Sequence, residues 1–213
     1  TTEIYTLSLH DALPIYSTPG PQQKQLVEHF TGYWDGVVSD WYSGEESKST
    51  CIINTEAPHE YLGRFVFSGV SMPADDAYPA GMSGLSIKGF NNNTKKYEMY
   101  WVDNGGTAQC LMSGTYDEKT KTYTYSGDMP GPGGAKPAKI LEKIVDKDNY
   151  ILEIHMNPGG GEKCVFRATL KRGVEPEIVP DEMEDPDPTE DPNIVPDEGD
   201  DDGKDSKEGH KHK

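Results

Sequence analysis

Between Gly84 and Met129 the chain reads GLSIKGFNNNTKKYEMYWVDNGGTAQCLMSGTYDEKTKTYTYSGDM. Short runs that alternate with period two are separated by clusters of Asn, Gly, Asp and Lys. Period two sends successive side chains to opposite faces of a strand, and those clusters favour tight turns. The segment therefore predicts antiparallel strands joined by hairpins. The pattern continues on both sides, with strands predicted over 33–41, 48–55, 61–70, 82–90, 95–102, 108–116, 121–128, 138–145, 150–156 and 164–172. The intervening turns include Asn91-Asn92-Asn93-Thr94, Asp103-Asn104-Gly105-Gly106 and Asp146-Lys147-Asp148-Asn149. An up-and-down meander of about ten strands has two exposed edges unless it closes, and closure removes them. The expectation is an all-β protein, an antiparallel barrel rather than a sandwich. A short helix precedes it over Pro21–Phe30, with Leu26, Val27 and Phe30 on one face, Pro21 in the first turn and Gly32 ending it.

Alternation also assigns faces. Tyr97, Met99 and Trp101 oppose Lys96 and Glu98, and Cys110 and Met112 oppose Gln109 and Ser113. In the last strand Cys164, Phe166, Ala168 and Leu170 oppose Arg167, Thr169 and Lys171. The apolar sets are expected inside. Tyr97, Met99, Trp101 and Met112 would line a ligand cavity or fill a packed core. Lys139, Leu141 and Lys143 alternate with Ile140, Glu142 and Ile144. If the lysines face water, Glu142 points inward, unless a bulge returns it to solvent. A carboxylate enclosed in a barrel anchors a ligand or accepts a proton with a raised pKa.

The charge lies outside this body. From Val174 to Lys213 there are 16 acidic residues and four lysines, a net of −12 out of the chain's −17; with two acids in residues 1–15, residues 16–173 carry only −3. The tail 174–213 is Pro-rich and lacks aromatic residues, so it cannot bury enough apolar area to offset ordering and is expected to be disordered and extended. Ile178-Val179-Pro180-Asp181-Glu182 recurs as Ile194–Glu198, either a bivalent docking motif for a basic protein partner or low-complexity spacer. Residues 1–15, TTEIYTLSLHDALPI, coincide with one reading frame of a common sequencing-adapter oligonucleotide. They are expected to carry neither structure nor function, His10 and Asp11 included, with the native start further upstream. The domain organisation read from this is 1–15, a barrel over 16–173, and the tail.

Composition excludes several classes. A near-neutral body with an acidic tail is a poor match for nucleic acid, whose phosphates require a basic patch. No run of 18 apolar residues exists to span a membrane as a helix. Cys51, Cys110 and Cys164 are too few and too widely spaced for a disulfide scaffold or a C-x-x-C metal site, so no metal is expected, and the thiols are read as three buried thiols or, if the protein is exported, as one disulfide and one free thiol. Export to the periplasm or cell surface would suit a small barrel with a solvated tail. No nucleophile-elbow, zincin or phosphate-loop motif accompanies His29, His59 or His155, so no catalytic residues and no cofactor are assigned.

Several motifs in combination carry a resemblance. These are Glu28-His29 with Gly32-x-Trp34-x-Gly36, Leu62-Gly63-Arg64-Phe65, Gly89-Phe90 followed by Lys95-Lys96-Tyr97, Trp101-Val102-Asp103-Asn104, and Gly114-Thr115-Tyr116-Asp117. Together they resemble the bacterial domain-of-unknown-function family 1579 over roughly residues 24–172. The resemblance implies a lipocalin-like (calycin) barrel and no assigned activity. Members usually read Gly-Tyr-Asp where this chain has Gly89-Phe90-Asn91, so that hydroxyl and carboxylate are absent here. In calycin barrels more widely, the Trp after the helix closes one end and an Arg of the last strand stacks on it. Trp34 would be that plug, with Arg167 or Arg172 as its partner. Three functions stay open: a non-enzymatic barrel for a small apolar or amphipathic ligand, a haem barrel using His155, or an enzyme using Glu142. The tail adds the alternative of an interaction module.

Overall fold

The computed structural model describes residues 19–74, 79–130, 134–157 and 161–176. The chain divides into two units, Thr1–Glu175 and Pro176–Lys213. The expectations for residues 1–15 and for the repeated pentads of the tail fall outside the described residues.

Helix α1 (Pro21–Phe30) leads into ten strands: β1 (Gly32–Asp40), β2 (Ser47–Glu56), β3 (Phe65–Met72), β4 (Met82–Asn91), β5 (Lys96–Asp103), β6 (Cys110–Asp117), β7 (Thr122–Met129), β8 (Lys136–Asp146), β9 (Asn149–Met156) and β10 (Lys163–Arg172). Each strand pairs antiparallel with the next, and β1 pairs with β10, so the sheet is a closed barrel. Closure leaves no unpaired edge. In β8 the pattern is that of a wall with one wet face: Ala138, Ile140, Glu142 and Ile144 are buried, and Lys139, Lys143 and Val145 are exposed.

Two local departures matter. The third strand begins at Phe65, not Tyr61. Residues His59–Tyr61 form a 3-10 turn, and Leu62 (φ 55°) and Gly63 (φ 63°) are left-handed, a conformation no extended strand contains. In β10 the register against β9 jumps between Cys164↔His155 and Phe166↔Ile154. Val165 is the extra residue of this bulge, which re-aims the chain beyond it. Val165 and Phe166 are buried, and Cys164, expected to face inward with Phe166, is turned toward His155 and Glu153.

Helix α1 lies across the end where the β2–β3, β4–β5, β6–β7 and β8–β9 hairpins turn. Leu26 and Phe30 are buried, each contributing roughly 1.5–3 kcal/mol. Phe30 packs on Tyr123 and Tyr150 at 5.3 and 5.5 Å between ring centroids. Gln23 donates to the Phe90 carbonyl, and the Tyr97 hydroxyl donates to Gln25. Trp34 donates its indole N–H to the Phe30 carbonyl at 2.8 Å and meets Tyr150 edge-on.

The arginine over Trp34 is Arg172, 4.1 Å from the ring centroid. It also donates to the Thr31 carbonyl at 2.7 Å and to the Lys147 carbonyl through two nitrogens. Arg167 is not the plug partner. Register places Arg172 opposite Trp34, whereas Arg167 stands opposite Ser39 and Glu153 and donates to Glu153. Gly32 (φ +130°) fits this corner because a Cβ there would lie 2.3 Å from the Arg172 guanidinium.

Candidate functional site

Opposite the plug the described residues leave the barrel open. A cavity of about 1500 Å³ runs inward from a mouth that includes Trp41, Gly81, Asn104, Pro130 and Asn157. Its walls are mostly apolar, with Ile53, Val70, Met99, Trp101, Ile140 and Leu152 among them. Ligand sites of drug size usually occupy about 300–1,000 Å³, so this space exceeds what one acyl chain needs.

Lys88 and Glu142 also face the cavity, and they form an ion pair across the barrel. Their side chains are only 5% and 1% exposed, so the two charges stand almost out of water. The Lys88 Nζ lies 4.1 Å from the centroid of the Phe30 ring, so the pair rests on the plug helix. One carboxylate oxygen of Glu142 takes the lysine. The other, Oε2, is buried with no protein partner, as are the Ser86 and Tyr125 hydroxyl oxygens. Nearby Thr55 and Ser68 satisfy one another at 2.8 Å. Burial, followed by the Glu142 charge, holds Tyr125 and Tyr150 protonated well above the usual phenol range. Tyr123 is displaced the same way, chiefly by burial.

The residues picked out by alternation separate into two groups. Met99, Trp101 and Glu142 line the cavity. Tyr97 and Met112 are buried but do not line it. Tyr97 sits at the plugged end, in contact with Phe90 and Tyr123, where burial raises its hydroxyl pKa to about 12. Met112 packs within the core cluster. Glu142 points inward with no bulge between it and the rest of its strand face.

Lys88 and Ser86 are cavity residues that hydrophobic alternation does not pick out. The β4 string MSGLSIKGF reads with Leu85 and Ile87 as its apolar face, yet Ser86 and Lys88 are the buried pair and Leu85 is 40% exposed. Ile87 instead joins Phe65, Tyr100 and Leu111 in a shallow apolar groove outside the barrel. The signal available was Glu142 itself, because an inward carboxylate calls for a cation.

On the outer wall His155 bonds Glu153 at 2.9 Å and stands 3.9 Å from Glu162, while Leu152, Ile154 and Met156 line the cavity. An axial role for His155 toward a haem inside the barrel would need it on the other face. Glu153, His155 and Cys164 bring ligand-type atoms within 4.8 Å of one another. Their charges are already matched: against the raising effect of burial, hydrogen bonds from His155 and then Arg167 hold Glu153 below the usual carboxylate range, and Lys139 lowers neighbouring Glu162. Cys51, Cys110 and Cys164 are all unpaired; the first two are buried and the third half-buried. Burial raises the Cys51 thiol pKa to about 11.

The sequence model of the family described as "Protein of unknown function (DUF1579)" matches residues 18–172. A search of the curated proteins found no match. Among solved structures, Rv2717c from M. tuberculosis superposes with a TM-score of 0.55 at 13% identity, covering 73% of this chain and 99% of that one. The S-type phycobiliprotein lyase CPES from Guillardia theta has a TM-score of 0.49 at 10% identity, covering 74% and 100%. At such identities only the barrel fold of the first is informative.

Proposed function

This chain belongs to the DUF1579 family, and we propose that it is a non-enzymatic barrel that holds a small apolar or amphipathic ligand. One observation carries the reading: a cavity of about 1500 Å³, apolar along its walls, open at one end and stopped at the other by a helix. Transfer of an apolar molecule from water into such a space is favourable by roughly 25 cal/mol per Å² of apolar surface removed. Catalysis lacks comparable support. Glu142, the carboxylate on which an enzymatic reading depends, is tied to Lys88, and no histidine lines the cavity among the described residues.

The test is titration of the purified full chain with the neutral dye N-phenyl-1-naphthylamine, alongside native mass spectrometry. The expected result is saturable 1:1 uptake, with quenching of tryptophan emission from Trp101. Val70→Trp, which narrows the cavity, should weaken uptake, and Leu111→Trp on the outer wall should not. Absence of saturable binding, or equal loss in both variants, would refute the reading.

A further inference from the structure

We infer that the ligand carries an uncharged, hydrogen-donating head, a hydroxyl or comparable group, on a bulky apolar body; the inference rests on the ligand-binding reading above. The chemistry of the cavity floor selects this class. Lys88 and Glu142 neutralise each other at the inner wall, so the floor has two buried charges and no net charge. What remains unsatisfied is polar. Glu142 Oε2 can only accept a hydrogen bond, whereas the unsatisfied hydroxyls of Ser86, on the cavity wall, and of Tyr125, buried behind it, can accept or donate. A buried acceptor without a donor carries an unrecovered desolvation cost, so a ligand O–H directed at Oε2 recovers it without disturbing the pair.

Charged heads fail for opposite reasons. A ligand carboxylate offers Oε2 no donor and adds a second negative charge to a poorly hydrated site. A ligand ammonium can donate, but it competes with Lys88 for one carboxylate and leaves an excess positive charge. Lys88 cannot swing away to serve an anion without abandoning both Glu142 and the face of Phe30. The body of the ligand is set by the walls: they are apolar, and the volume exceeds a single acyl chain. A fused-ring skeleton or a branched polyprenyl chain fills such a space better than one linear tail.

The experiment compares three probes that share one body: 1-pyrenebutanol, 1-pyrenebutyric acid and 1-pyrenebutylamine, followed by pyrene fluorescence with the full chain. The alcohol should bind at least tenfold more tightly than the acid or the amine. Glu142→Gln leaves Lys88 unpaired, and the order should invert in favour of the acid. Lys88→Met leaves Glu142 unpaired, and the order should shift to the amine. Circular dichroism checks that each variant is folded. Should the singles fail to fold, the paired replacement Lys88→Met with Glu142→Leu should bind the probes and lose the preference for the alcohol. Equal affinity of wild type for the three probes, or an order unchanged in the variants, would overturn the inference while leaving the ligand-binding reading intact. Failure of all three probes to bind would instead remove that reading.

Discussion

Separating Lys88 from Glu142 should reveal how dry the barrel floor is. The pair is 5% and 1% exposed, so neither partner recovers much hydration when the other is removed. Breaking a buried pair by truncating one partner typically costs about 3–5 kcal/mol, because an uncompensated charge stays behind. Lys88→Met and Glu142→Leu should each cost that much. In a domain of this size each kilocalorie lowers Tm by about 2–4 °C, giving a loss of roughly 6–20 °C. The double variant replaces both charges with apolar groups of similar length and should fall within about 1 kcal/mol of the parent or above it. Urea unfolding with a common m-value, arranged as a double-mutant cycle, then gives a coupling energy of at least about 5 kcal/mol. Single variants that each cost less than about 1 kcal/mol, or a double that costs the sum of the two, would show that the pair is solvated. The argument that the floor discriminates against charged heads would fall with it.

Three further outcomes follow from the geometry. Arg172→Ala removes the stack on Trp34 and the bonds to Thr31 and Lys147 and should cost about 2–4 kcal/mol in chemical denaturation. Arg167→Ala loses an ion pair on the outer wall and should cost about 0–1 kcal/mol, and equal costs would contradict the assigned plug. His29, bonded to Tyr123 and flanked by Tyr116, has its pKa lowered, first by burial and against the raising effect of Glu28 and Glu118. The folded state therefore binds fewer protons than the unfolded state below pH 6.5, so stability contributed by neutral His29 is present above pH 6.5 and lost as pH falls through the folded pKa. His29→Gln should flatten that part of a stability–pH profile, and an unchanged slope would exclude the residue. Iodoacetamide at pH 8, read by peptide mass spectrometry, should modify half-buried Cys164 well before Cys51 and Cys110; early labelling of Cys51 would mean that the barrel opens.

The architecture was legible because hairpin turns are local. Clusters such as Asn91–Thr94 and Asp146–Asn149 announce themselves without knowledge of the partner strand, and ten strands joined in succession leave closure as the way to remove both edges. The plug arginine is legible too, because strand parity chooses between the two candidates, Arg167 and Arg172. Phe166, Ala168 and Leu170 face inward, so strand parity puts Arg172 on their side and Arg167 on the other. Parity decides there, because the β10 bulge lies before Phe166 and leaves everything after it in step. Cys164 lies on the other side of that bulge, which is why its face could not be had from alternation.

The floor was harder for a different reason. Hydrophobic alternation assumes that the inside of a barrel is apolar, and β4 reverses that assumption: polar Ser86 and Lys88 inside, apolar Leu85 and Ile87 outside. A closed sheet tolerates the reversal only if the buried lysine has a partner, and that partner, Glu142, is 54 residues away in the sequence. Each member of the pair is unreadable alone and required once the other is placed. Such a pair, set among apolar walls, contributes little to stability compared with an apolar replacement. On the ligand-binding reading proposed above, what it supplies instead is a fixed pattern of donors and acceptors at the bottom of a greasy space, the feature that would distinguish a selective container from an indiscriminate one.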